Sequence, residues 1–139
     1  MPILFDASIY IRALRTGGDA ALALQRWARE EPLWLSAVVM EELYAGTSAR
    51  DQRIVEKLER DFARARRMLV PSLGDWSRSG KMLAAVGRKY GYEQIGKARL
   101  TNDALIAASA ARSGITVITA NARDFTRLAE FCPLRWEVR

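Results

Sequence analysis

The sequence predicts an α/β protein in which a largely parallel sheet carries helices on both faces. Short apolar runs alternate with stretches of helical periodicity along the chain, the pattern of repeated strand–helix–strand units. Ile115-Thr116-Val117-Ile118-Thr119 is β-branched at all five positions and is the clearest strand. The opening run Ile3-Leu4-Phe5 is continuously apolar, as strands buried on both faces of a parallel sheet are.

From the start of the chain, Ile3 to Phe5 forms the first strand, and a helix from about Ala7 to Arg15 follows, with Asp6 placed to cap it. Gly17-Gly18 breaks that helix. Asp19 opens a second helix in which Leu24, Trp27 and Ala28 share a face and which Pro32 ends. Leu33-Trp34-Leu35 reads as the next strand. Ser36 caps a helix whose Val38, Val39, Glu42, Leu43 and Gly46 recur at spacings of three and four, so Glu42 lies on the apolar stripe. Ser48 and Asp51 have capping-box spacing and open a helix with Ile54, Val55, Leu58 and Phe62 on one side and Lys57, Arg60, Arg64 and Arg67 largely on the other.

Met68-Leu69-Val70 is a third strand candidate, closed by Pro71. Ser72 and Asp75 form another capping box, and the helix beyond it aligns Trp76, Leu83, Val86 and Tyr90 until Gly91. Tyr92 to Lys97 reads as a loop. Its surroundings, Gly91 to Ala98, approach the phosphate-loop pattern G-x-x-x-x-G-K-[ST], but Ala98 lacks the required hydroxyl and the segment follows a helix rather than a strand. Thr101 caps a helix containing Asp103, Ile106, Ala107 and Ala110, stopped by Gly114. After the strand at 115–119, Asn121 caps a short helix with Asp124 three residues on, and Leu134 to Val138 adds a last strand. No repeat, linker or low-complexity tract interrupts the 139 residues, which are read as one domain spanning 1–139.

Composition narrows the chemistry. Lys and Arg number 22 against 16 Asp and Glu, a net charge of +6 that favours a polyanionic partner such as nucleic acid or an acidic protein. The single cysteine, Cys132, makes no intramolecular disulfide and anchors no zinc site; it reads as a small buried residue in a reducing cytoplasm. With no secretory leader and no apolar run long enough to span a membrane, the expected location is the cytoplasm. Histidine is absent, which removes every Ser-His, Cys-His and His-pair mechanism and leaves hydrolysis to carboxylates, Lys, Arg or a metal.

Four positions stand out because each lies at a strand end or on an otherwise apolar helix face: Asp6, Glu42, Asp103, and Asn121 with its neighbour Asp124. If the strands before Asp6 and Asn121 are parallel, both residues share one sheet edge, where ligands collect in open α/β sheets. Asp103 begins the helix that leads into one of those strands, so it faces the same edge. A plainer role stands beside each: capping for Asp6 and for Asn121 with Asp124, complementing a helix dipole for Asp103, and an exposed position for Glu42. Converging carboxylates without a basic partner are costly, and a hard divalent cation relieves them, since Mg²⁺ and Mn²⁺ prefer carboxylate and water ligands. Such an ion suits phosphoryl chemistry, and Lys97, Arg99 and Arg123 would position a phosphate backbone.

Taken in order, Phe5-Asp6-Ala7-Ser8, the run from Ser36 to Gly46, the run from Asp103 to Ala110, and Thr119-Ala120-Asn121-Ala122-Arg123-Asp124-Phe125 resemble the PIN-domain family, and in particular the toxin ribonucleases of VapBC-type toxin–antitoxin pairs. The resemblance implies a three-layer α/β/α fold with a central, mainly parallel sheet and an endoribonuclease dependent on Mg²⁺ or Mn²⁺. It makes Asp6, Glu42 and Asp103 the acidic, metal-binding residues, with Ser8 and Thr119 as supporting hydroxyls. Asn121 stands where the family often has a fourth acid, with Asp124 near enough to compensate. The resemblance also implies an RNA substrate, a homodimer and neutralisation by a cognate antitoxin, for which the two helices around Gly46 are the expected docking surface. The rival reading is a non-catalytic, basic RNA-binding or assembly module with a degenerate site, favoured by Asn121. A receiver-like phosphoacceptor is disfavoured, since the first strand lacks an acidic pair and the last lacks a suitably placed lysine.

Overall fold

A computed structural model describes residues 1–16, 30–93 and 95–139. The chain runs β1 (Ile3–Phe5), α1 (Ala7–Thr16), β2 (Leu33–Ser36), α2 (Ala37–Gly46), α3 (Ala49–Arg64), β3 (Met68–Leu69), α4 (Leu73–Tyr90), α5 (Ala98–Ser113), β4 (Thr116–Thr119), α6 (Ala122–Ala129) and β5 (Trp136–Val138). Most of the helix expected after Asp19 falls at 17–29, outside the described residues.

The five strands form one sheet in the order β3-β2-β1-β4-β5, and every neighbouring pair is parallel. Parallel neighbours need crossovers, and right-handed crossovers fix which face each helix covers. The chain leaves β1 in one direction, through β2 to β3, then returns to β4 and β5 on the other side of β1. The helices of the first half therefore cover one face and those of the second half the other, a three-layer α/β/α arrangement. Packing follows this division: α2 packs on α1 and α3, while α4, α5 and α6 pack on one another. The central strands β1 and β4 are buried at every residue, which accounts for their continuous apolar or β-branched character. The core joins Leu4, Phe5 and Ile118 in the sheet to Val39 and Leu43 below and Ile106, Phe125 and Leu128 above.

Local signals place most boundaries. Ser36 Oγ accepts from the Val38 and Val39 amides, and Ser48 Oγ from the Asp51 amide. Ser72 and Asp75 make the reciprocal capping box. Gly114 closes α5 in the left-handed conformation (φ 67°), where a side chain is disfavoured. Cys132 is buried and unpaired. Among the described residues no helix is long and apolar enough to cross a membrane.

Four expectations are corrected. Thr101 does not cap α5: the helix begins at Ala98 with Lys97 as cap, and Thr101 Oγ1 donates back to the Lys97 carbonyl from inside the first turn. Gly96, at φ 90°, turns the chain early enough for this start. On α4, Trp76 and Tyr90 are exposed, and the inward face is Asp75, Ser79, Met82 and Val86. Asp75 is drawn in because Arg112 Nε donates to both its oxygens, at 3.0 and 2.9 Å, which rotates Trp76 outward. Val70 and Ile54 are likewise exposed. The ladder stops before Pro71, which lacks an amide, and Val55, not Ile54, meets the core.

Candidate active site

The order of strands creates a topological switch point between β1 and β4, the place where ligands bind beyond the strand ends of an open α/β sheet. Asp6 and Thr119 stand at those two ends, 113 residues apart in sequence, and Thr119 Oγ1 donates to Asp6 Oδ2 at 2.8 Å. Ser8 Oγ donates to the same oxygen at 3.0 Å, and the Ala7 amide donates to Oδ1 at 2.7 Å. Asp6 is thus buried and oriented by three donors, and acceptor capacity remains on its oxygens. Its side chain does not cap α1 in the usual way, since it takes the amide of the next residue instead of those two or three along.

A cleft of about 710 Å³ opens above this point. Asp6, Glu42 and Asp103 all line it. Glu42 comes from the last turns of α2. Its neighbour Glu41 is exposed, whereas Glu42 is half-buried and its Oε1 is buried without a hydrogen-bond partner. Asp103 comes from the second turn of α5 and is 1% exposed. An α5 that starts at Ala98 puts Asp103 beyond the first amides, so a dipole-complementing role does not account for it.

The electrostatics show that these acids feel one another. Burial first, then the Asp6 charge, pushes Glu42 up to about 7, while Arg99 and the Asn102 amide pull it down. Burial first, then Asp6, Glu42 and Asp124, pushes Asp103 up to about 8, with Arg99 again opposing. A cation near them would reverse the repulsion.

Asn121 and Asp124 stand one step back. The Asn121 side chain accepts from the Asp124 amide at 3.5 Å, a cap for α6, and its Nδ2 donates to Asp124 Oδ2 at 2.9 Å and to Asp103 Oδ2 at 3.3 Å. Its backbone amide donates to Thr119 Oγ1 at 2.9 Å, so that hydroxyl links the β4–α6 turn to Asp6. Neither Asn121 nor Asp124 is among the residues forming the cleft wall, and the fully buried Thr119 reaches it only through Asp6.

Of the expected basic residues, Arg99 lines the cleft; Lys97 and Arg123 are exposed and lie outside its wall. Sequence reasoning missed Arg12, Arg15 and Asn102, all of which line it. The two arginines were detectable as the residues four and seven positions after Ser8, hence on the same face of α1.

Carboxylates, amides and hydroxyls, with no His or Cys, are the donor set of a hard cation. A cation in this cleft would relieve both acids, which burial and then the Asp6 charge raise, and would give the unpartnered Glu42 Oε1 a ligand. Among the described residues, no three His, Cys, Asp or Glu side chains form a group that could hold a metal ion.

Among solved structures, the chain is similar to VapBC2 from Rickettsia felis bound to a DNA fragment from their promoter, with 23% identity, 100% of this chain and 99% of that chain covered, and a TM-score of 0.71. It is similar to DNA-bound VapBC from Salmonella typhimurium at 21% identity, with 99% and 98% covered and a TM-score of 0.71. VapBC-1 from nontypeable Haemophilus influenzae matches at 25% identity, with 99% and 98% covered and a TM-score of 0.66. A comparison with curated protein sequences finds no match. The PIN domain family model matches residues 3–131, from the first strand to just past the last helix, and with the parallel sheet and its switch point at Asp6 this establishes that the chain belongs to the PIN domain family.

Proposed function

We propose that the protein is a divalent-metal-dependent endoribonuclease that hydrolyses RNA phosphodiesters and acts as the toxin of a VapBC-type toxin–antitoxin pair. The observation that carries this reading is that Asp6, Glu42 and Asp103 line one cleft, in which burial and the Asp6 charge raise both Glu42 and Asp103. These three residues are assigned as the holders of Mg²⁺ or Mn²⁺. Bound there, the ion would polarise the phosphate and lower the pKa of a water.

The chain's own residues account for the rest. Ser8, Thr119 and the Ala7 amide fix the Asp6 carboxylate, so it is presented without rotamer freedom. Asn121 holds Asp103 Oδ2 through its amide and keeps Asp124 beside it. Arg99, whose charge reaches both Glu42 and Asp103, is the cation placed to meet the scissile phosphate. Membership of the PIN domain family and likeness to VapBC complexes support a toxin role and neutralisation by an antitoxin; the α2–α3 hairpin is the proposed docking surface, and a homodimer is the proposed assembly.

The test is cleavage of an RNA pool by the purified protein with Mn²⁺, with chelator, and by Asp6→Asn and Asp103→Asn. The reading expects cleavage only with metal and only in the wild type. Asn121, in place of a fourth acid, favours the rival of a non-catalytic RNA-binding module. RNA that stays bound and intact at every Mn²⁺ concentration would establish that rival instead.

A further inference from the structure

The face of α1 that borders the cleft is Ser8, Ile11, Arg12, Arg15 and Thr16, residues spaced to lie on one side of a helix. Its other side faces the core through Ile9 and Tyr10. At ~1.5 Å of rise per residue, Arg12 lies ~6 Å and Arg15 ~10 Å along the axis from Ser8, which is bonded to Asp6. The two residues therefore stand about one and two helical turns along α1 from Ser8, and both line the cleft.

Their setting differs from that of Arg99. Arg99 acts on the charges of Glu42 and Asp103; Arg12 and Arg15 are not among the groups that do. Neither makes a salt bridge among the described residues. Arg12 Nη1 donates to the main-chain oxygen of Arg139 at 3.0 Å, which steadies the side chain. Opposite them the cleft is bordered by Ala45 and Gly46, which have no side chain long enough to fill it, and a Cβ on Gly46 would meet nothing within 4 Å. The result is an open trough, acidic at one end and cationic along one wall.

An acidic floor repels a polyanion, so a nucleic acid entering this trough needs its neighbouring phosphates held by cations outside the reacting position. We propose that Arg12 and Arg15 form a phosphate track along α1 that binds the backbone of single-stranded RNA on one side of the scissile phosphate. This rests on the RNA-cleaving reading above and adds the direction in which the strand leaves the site. Planar guanidinium groups suit phosphate oxygens, and Arg15 extends the track one turn beyond Arg12.

The rival track is α3, where Arg50, Arg53, Lys57, Arg60 and Arg64 are exposed at spacings of three and four. Salt dependence decides between them. With EDTA present to stop cleavage, anisotropy of a labelled 10-nucleotide single-stranded RNA is measured against NaCl for the wild type, Arg12→Gln, Arg15→Gln, the double variant, and the α3 pair Arg53→Gln/Arg60→Gln. Each arginine of the track that is lost should lower the slope of log K against log [salt] by about 0.7, and the double variant by about 1.4. Arg12→Lys, which keeps the charge, should retain the slope and controls for loss of the bond to Arg139. An unchanged slope in the double variant, or an equal fall in the α3 pair, overturns the track. Because binding is read without catalysis, RNA that binds with the expected slopes but is never cleaved in Mn²⁺ defeats the nuclease reading and leaves the track standing.

Discussion

Replacing Asp103 with Asn should stabilise the metal-free protein, and the gain should depend on pH. In the fold, Asp103 is raised from 3.8 to about 8 by burial and by the charges of Asp6, Glu42 and Asp124. The folded state then binds more protons than the unfolded state between those two values, so the linkage slope is negative: stability falls as pH rises from about 4 to about 8 and levels off above that. Each pH unit in this window costs on the order of 1 kcal/mol, which makes the interval from pH 5 to pH 8 worth roughly 4 kcal/mol. Asn cannot ionise and escapes this penalty. Any cost of weakening the 3.3 Å contact with the Asn121 amide is the same at both pH values and cancels in the comparison. For a domain of this size 1 kcal/mol moves Tm by about 3 °C, so the advantage of Asp103→Asn over the wild type should be roughly 10 °C larger at pH 8 than at pH 5. Calorimetry in EDTA at the two pH values gives the number. An equal advantage at both, or none at pH 8, would refute the claim that burial and the neighbouring acids raise Asp103.

Adding Mn²⁺ at about pH 6.5 should raise the wild-type Tm and release protons, since the ion competes with those on Glu42 and Asp103; titration calorimetry in buffers of different ionisation enthalpy reads the protons, and Glu42→Gln should reduce the release. Thr119→Val removes the 2.8 Å donor to Asp6 and the acceptor of the Asn121 amide, with an expected loss of about 1–3 kcal/mol in urea unfolding; a change within error would mean that the hydroxyl is dispensable. Arg112→Met removes the main partner of the buried Asp75, which keeps the Ser72 amide and Arg78 at 3.6 Å, and should cost about 1–3 kcal/mol without touching the cleft, while Asp75→Asn with Arg112→Met should recover part of the loss.

Much of the fold is legible because the signals are local. Ser36, Ser72 and Asn121 cap the helices that follow them, and the apolar runs at 3–5 and 116–119 are strands, since capping, β-propensity and periodicity depend on residues a few positions apart. One failure came where a distant partner overrides the local pattern, another where an earlier turn pre-empts it. Trp76 sits outside because Arg112, 37 residues from Asp75, pulls that acid inward. Thr101 fails as a cap because Gly96 and Lys97 start the helix earlier.

For the site, the sequence by itself determined the chemical repertoire. With no histidine and one cysteine, acids at Asp6, Glu42 and Asp103 and a surplus of arginine were the groups available, and the strand-end position of Asp6 follows from its neighbours alone. Only the tertiary structure decided which of them meet. β1 lies beside β4 rather than at the sheet edge, and that neighbourhood puts the Thr119 hydroxyl on Asp6, brings Asp103 above it, and turns Arg12 and Arg15 toward the same cleft. The physical reason is range. Strand order is set by how whole faces bury against each other, and the raised acids at Glu42 and Asp103 arise from charges and burial that exist only once those faces have closed.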